Sequence, residues 1–159
     1  MFLSPAFAGG EASKPKAAWW YDIAFKADQD NLSGLPVKSL DPTWVAARAL
    51  STRDLVGRIS SNDLKIFKAS KFRFSSNSDL NNDGKLERVL VGVFKREDGV
   101  SGRFLVVING DSPQQVFVRQ GDQGFSALLM HSNSLRWYSC MECNEYETIA
   151  WAGTKFVLE

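Results

Sequence analysis

The chain has 159 residues, with 19 Lys and Arg against 18 Asp and Glu, one His and a formal net charge of +1. That balance speaks against a nucleic-acid footprint, which shows as a basic patch with a strongly raised pI. The length suits one domain with a real hydrophobic core, and 11 Phe with 5 Trp suit strand and interface packing.

The chain opens on FLSPAFAGG, residues 2–10. Ala6-Phe7-Ala8 is a small-x-small cleavage pattern, and Phe2, Leu3 and Phe7 read as the tail of an apolar core. Residues 1–8 are therefore expected to be the remnant of a signal peptide clipped at its start, with a periplasmic or secreted mature chain. The alternative is an Ala/Gly-rich terminus of a cytosolic protein. Residues 9–18 read as a flexible, small and polar stretch, and 19–159 as a single globular domain. No later run approaches the ~20 apolar residues of a membrane span.

Residues 19–27, WWYDIAFKA, form an aromatic strand candidate, followed by a Gly/Pro-bearing loop. Asp41 then suits an N-cap and Pro42 the first helical position, with Trp44, Val45, Ala47 and Leu50 continuing a helical pattern. Ser51-x-x-Asp54 is a capping box for a second short helix carrying Leu55, Val56 and Ile59. From Leu64 onward the pattern turns to short strands, expected at 65–74, 86–95, 103–108, 115–119, 127–131, 135–139, 148–151 and 155–158. Turn chemistry separates them at Glu97-Asp98-Gly99, Asn109-Gly110-Asp111, Gly121–Gly124, Asn133 and Gly153. The expected class is mainly β (α+β): an antiparallel β meander, sandwich or partial barrel with one or two short N-terminal helices.

Within this meander lies DLNNDGKLE, residues 79–87, followed at once by the apolar run RVLVGVF. Asp79, Asn81 and Asp83 place hard oxygens at alternate positions, the Lys85 carbonyl can add a backbone oxygen, and Glu87 can close the shell. Ca²⁺ takes six to eight such oxygens in a flexible shell, whereas Mg²⁺ demands near-octahedral geometry and keeps several waters. Gly84 permits the sharp reversal, since it tolerates positive φ. The competing reading is an ordinary turn at Asn82-Asp83-Gly84, which does not by itself require Asp79, Asn81 and Glu87 at that spacing.

Residues 79–94 resemble the calcium-loop segment of the FG-GAP and VCBS-type repeats, a D-x-N/D-x-D-G-x-x-D/E loop leading into a hydrophobic strand. The resemblance implies Ca²⁺ ligands at Asp79, Asn81, Asp83 and Glu87, at an affinity of about 10⁻⁴–10⁻³ M, typical of extracellular modules. It covers one copy of the loop, and a propeller needs several blades, so that architecture is excluded by count.

Both cysteines, Cys140 and Cys143, lie in WYSCMECNEYE, residues 137–147. In an exported chain a local disulfide is the simplest expectation. A redox pair would favour a helix N-terminus, but Glu142, Glu145 and Glu147 surround this one. Zinc would need two more ligands where the chain has one histidine, His131.

No nucleophile grouping, cofactor loop or phosphate loop is legible, and the chain is expected not to be an enzyme. The leading expectation is a small exported protein that binds another protein, of the inhibitor or immunity type, with an envelope-acting toxin or hydrolase as partner. Its expected anchors are Trp137, Tyr138, Glu142, Glu145 and Tyr146, since a few aromatic or charged residues dominate interfaces. The competing reading of the aromatics is that Trp20, Trp44, Trp137 and Trp151 are core anchors. The alternative function is a calcium-binding structural or adhesion module of the cell envelope, and the third a carboxylate-dependent hydrolase.

Overall fold

The computed structural model describes residues 18–159. The expected signal-peptide remnant and all of the flexible segment but Ala18 lie outside the described residues.

Trp19–Asp22 is a single helical turn (α1), not the start of a strand as its aromatic run suggests. The residues beyond it do alternate, with Ile23, Phe25 and Ala27 buried and Ala24 and Lys26 exposed. They form no ladder, however. One bridge, Ala24 to Gly124, and the bond from Phe25 N–H to the Gln123 carbonyl at 2.7 Å tie them down, with Arg58 donating to the Ala24 carbonyl and Arg48 Nε to the Lys26 carbonyl at 3.1 Å. The loop that follows contains a small hairpin, Asn31–Leu32 (β1) and Leu35–Pro36 (β2), closed by Ser33 and Gly34 at φ 51° and 91°. Positive φ at both central residues matches the twist of the flanking strands. A helical turn, Val37–Leu40 (α2), completes this lobe.

The helix expected after Asp41 is instead a strand, Trp44–Ala49 (β3). Asp41 does cap, but it accepts from the Thr43 N–H and hydroxyl at 2.8 and 2.6 Å and closes a turn. A bulge between Trp44 and Ala46 then interrupts the period of two. Trp44 and Ala47 therefore face one core three residues apart, a spacing that a sequence presents as helical. The second short helix is present as a 3-10 turn, Thr52–Leu55, with the Ser51–Asp54 box closed by Asp54 Oδ2, which accepts from the Ser51 N–H and hydroxyl, each at 2.8 Å. It buries Leu55 but leaves Val56 exposed.

Ser61–Ala69 is a helix (α3) where a strand is expected from residue 65. Ser60 supplies the cap, accepting from Asp63 N–H at 3.0 Å, and Phe67 stacks on Phe74 at 5.1 Å. None of residues 65–74 lies in a strand, and the strand that follows them is Ser75–Ser78 (β4). Its polar residues have weak strand propensity, so neighbours decide its state.

The remaining strands stand close to expectation: Glu87–Arg96 (β5), Ser101–Asn109 (β6), Ser112–Gln120 (β7), Ala127–His131 (β8), Ser134–Tyr138 (β9), Tyr146–Trp151 (β10) and Phe156–Leu158 (β11). One sheet runs β3-β5-β6-β7, with β4 pairing the first half of β5 and β3 the second half. The other is the meander β11-β10-β9-β8. All pairs are antiparallel, and among the described residues neither sheet closes into a barrel.

The five-stranded sheet is buried on both faces. Val89, Val91, Val93, Leu105 and Val107 meet Leu135, Trp137 and Ile149 of the second sheet, with Phe67 of α3 in the same cluster. The opposite face, Trp44, Leu90, Phe94, Phe104, Val106 and Ile108, is covered by Leu32 and Val37 of the N-terminal lobe. Gly92 is needed here, because a Cβ would collide with the Arg48 carbonyl and the Phe104 ring. Arg48 also ties three segments together, bonding Asp28 at 2.8 and 2.9 Å and Asp54 at 3.0 Å. Burial works against its charge, but Asp28 first and Asp54 second hold the guanidinium above its ordinary pKa.

Candidate metal centre

The loop between β4 and β5 folds back on its own side chains. Asp79 Oδ1 accepts from the Asp83 N–H at 3.1 Å and its Oδ2 from Gly84 N–H at 2.9 Å. Asn81 Oδ1 also accepts from Asp83 N–H, at 3.0 Å, and Asp83 Oδ1 from Lys85 N–H at 2.8 Å. Asn82 and Gly84, at φ 59° and 84°, make the reversal. These bonds are those of a tight turn, and they also draw the acidic oxygens inward.

Glu87 separates the two readings of the loop. Carboxylate oxygens of Asp79, Asp83 and Glu87 lie within 4.8 Å of one another, and Glu87 is 0 % exposed. One Glu87 oxygen accepts from the Leu80 N–H at 2.7 Å, and the other is buried with no partner among the described residues. A turn needs no such group. Burying a charge without a partner is costly, and three carboxylates this close repel one another. A divalent cation removes both costs. The donor set is all oxygen, as Ca²⁺ prefers, so these residues fit the ion. Asp79, Asn81, Asp83 and Glu87 would hold it with side chains. Lys85, whose side chain is exposed, would add only its carbonyl.

The expected contact surface is reorganised by the fold. Trp137 is 0 % exposed and Tyr138 7 % exposed, so neither can be an interface anchor. Trp137 faces inward between the sheets, and Tyr138 packs edge-on against Phe72 at 5.2 Å. A period of two in β9 normally exposes one of two neighbours, but here the Phe72 segment covers the outer face. Glu142, Glu145 and Tyr146 are exposed. Of the proposed core tryptophans, Trp44 and Trp137 are buried, Trp20 is half-buried and Trp151 is exposed.

Arg119 of β7 is the residue that sequence reasoning missed. Its guanidinium lies 3.9 Å from the Trp137 ring centre and pairs with Glu147, the Nε donating to Oε2 at 2.8 Å. With Glu145, Tyr146 and Glu147 it lines a cleft of about 630 Å³ at the open mouth between the sheets. Nothing in the local sequence marks it, because its partners are 18 or more residues away.

Cys140 and Cys143 are joined as a disulfide, with Cα atoms 5.7 Å apart. So small a loop adds little chain-entropy stabilisation, so its effect is local, on the turn between β9 and β10. Intact mass before and after alkylation of protein made in an oxidising compartment should show no modifiable thiol without reductant and two with it. Two free thiols at the outset would remove the bridge. His131 stands exposed at the end of β8.

No family model, curated protein or solved structure matches the chain.

Proposed function

We propose that this chain is an exported calcium-binding protein that acts through contact with another protein, its ion fixing the β4–β5 corner. The observation that carries the ion is the fully buried Glu87 carboxylate, with one oxygen unpartnered beside Asp79 and Asp83. The resemblance of residues 79–94 to the FG-GAP and VCBS-type loop supports the same ion. Export is supported by the Ala6-Phe7-Ala8 pattern and by a disulfide, which persists in oxidising compartments. Inhibitor or immunity-type contact with an envelope-acting toxin or hydrolase is the partner class that goes with export. The exposed Glu142, Glu145 and Tyr146 remain its candidate anchors, without Trp137 and Tyr138.

A calcium-binding structural module of the cell envelope is the second reading, favoured by the same Glu87 geometry. Millimolar Ca²⁺ tests the ion common to both. At the expected affinity of about 10⁻⁴–10⁻³ M, Ca²⁺ at about 10 mM is roughly 10–100 times Kd, and an ion bound only by the folded state then stabilises by about 1.4–2.7 kcal/mol. At about 2–4 °C per kcal/mol for a chain of this size, the melting temperature should rise by roughly 3–11 °C. Asp83→Ala should abolish that rise. An unchanged melting curve for the parent chain in calcium would leave the loop as a turn.

A further inference from the structure

We infer that the free edge of β7 takes an extended segment of a partner protein by strand addition, a segment alternating apolar with cationic residues. This rests on the protein-contact reading above and gives it a docking mode.

An unpaired strand edge presents a row of N–H and C=O groups to any extended chain, and proteins normally blunt such edges. Among the described residues, most of the edges here are blunted. β3 is short, bulged at Val45 and bridged at Ala47 to Gln29. β8 is met by Arg73 through its bridge to Leu128, β4 has four residues, and β11 has three. β7 is the exception. It runs nine residues, Ser112–Gln120, with β6 on one side and neither strand nor bridge on the other. Pro113 guards only its start, and Gln115-Val116-Phe117-Val118 carries no charge.

The surroundings of β7 specify the guest. Side chains of an added strand point alternately to the two faces of the sheet, and each face has a cleft with β7 as a wall. One, of about 380 Å³, has an apolar patch of Leu40, Pro113, Val116 and Val118 beside a polar rim that includes Asp41, Gln114 and Gln115. Val118 is 45 % exposed there, an apolar surface with no cover. The other is the cleft of Arg119, Glu145 and Glu147. Arg119 is already matched to Glu147, whereas Glu145 has no ion-pair partner among the described residues. The apolar patch around Val118 in the first cleft takes an apolar side chain, and Glu145 in the second a Lys or Arg. A second copy of β7 does not meet this need, because its only cation, Arg119, is engaged by its own Glu147.

The probes are three synthetic ten-residue peptides: alternating Val and Lys, alternating Val and Glu, and a scramble of the first. Hydrogen exchange of the parent protein is read with each. The Val/Lys peptide should slow exchange of β7 amides at least tenfold, and the other two should not. Val118→Lys should abolish the protection while keeping the parent melting curve. Glu145→Lys, in an exposed turn, should reverse the preference towards the Val/Glu peptide and serves should Val118→Lys fail to fold. No β7 protection at millimolar peptide, or an unchanged preference in Glu145→Lys, overturns the inference. So does a concentration-dependent dimer that Val118→Lys dissolves, which would make the guest a second copy. Protection confined to the 139–147 turn, lost in the Glu142→Lys/Glu145→Lys double variant but kept in Val118→Lys, overturns strand addition and leaves the protein-contact reading standing.

Discussion

Trp44→Ala is expected to lower stability by about 3–5 kcal/mol, the range for truncating a buried aromatic. Trp44 is 0 % exposed and stacks on Phe94 with ring centres 4.8 Å apart and planes 11° from parallel; Phe104 is 5.2 Å away. The three rings form the middle of the layer between the five-stranded sheet and the N-terminal lobe. A cavity there has little to collapse into, because Gly92 and the Arg48 backbone already hold the sheet at close approach. Denaturant unfolding followed by circular dichroism should give a lower midpoint with an unchanged slope. Trp44→Phe should recover part of the loss by keeping a ring against Phe94. A loss under about 1 kcal/mol, typical of surface sites and not of a core cavity, would mean that the second core layer is not built on Trp44.

The second large effect changes sign with the ion. Glu87→Gln keeps the shape of the side chain and an oxygen for the Leu80 N–H, and removes a buried charge. In chelator the variant should match or exceed the parent, because a buried charge without a partner costs stability. In saturating Ca²⁺ the order should invert. The parent gains about 2.7 kcal/mol at a hundred times Kd, and the variant, with a weaker ligand, gains much less. Melting curves of the pair with and without calcium are the measurement. A variant less stable than the parent by the same amount in both conditions would make Glu87 a structural acceptor for the loop and nothing more.

The sequence determined those features whose cause is local. Asp79, Asn81, Asp83 and Gly84 close a loop through bonds spanning five residues or fewer, so spacing alone reveals it. The strands from β5 onward carry enough apolar or alternating residues, and clear enough Gly and Asn turns, to declare themselves. The Ser51–Asp54 box is local as well, and Asp54 Oδ2 closes it.

Tertiary structure decided what has a distant cause. The polar strand β4 is extended because β5 offers its edge. Trp44 and Ala47 share a face because of a bulge against β5, which hides a strand behind a helical spacing. Residues 65–69 are helical because the Ser60 cap and the burial of Phe67 against Phe74 and Phe125 outweigh their strand-like look. Tyr138 is lost as a contact residue to Phe72, 66 positions away. Glu87 is predicted from its spacing only as a ligand. Its full burial beside two other carboxylates comes from the sheet that β5 enters, where a charge without a cation is at its most costly.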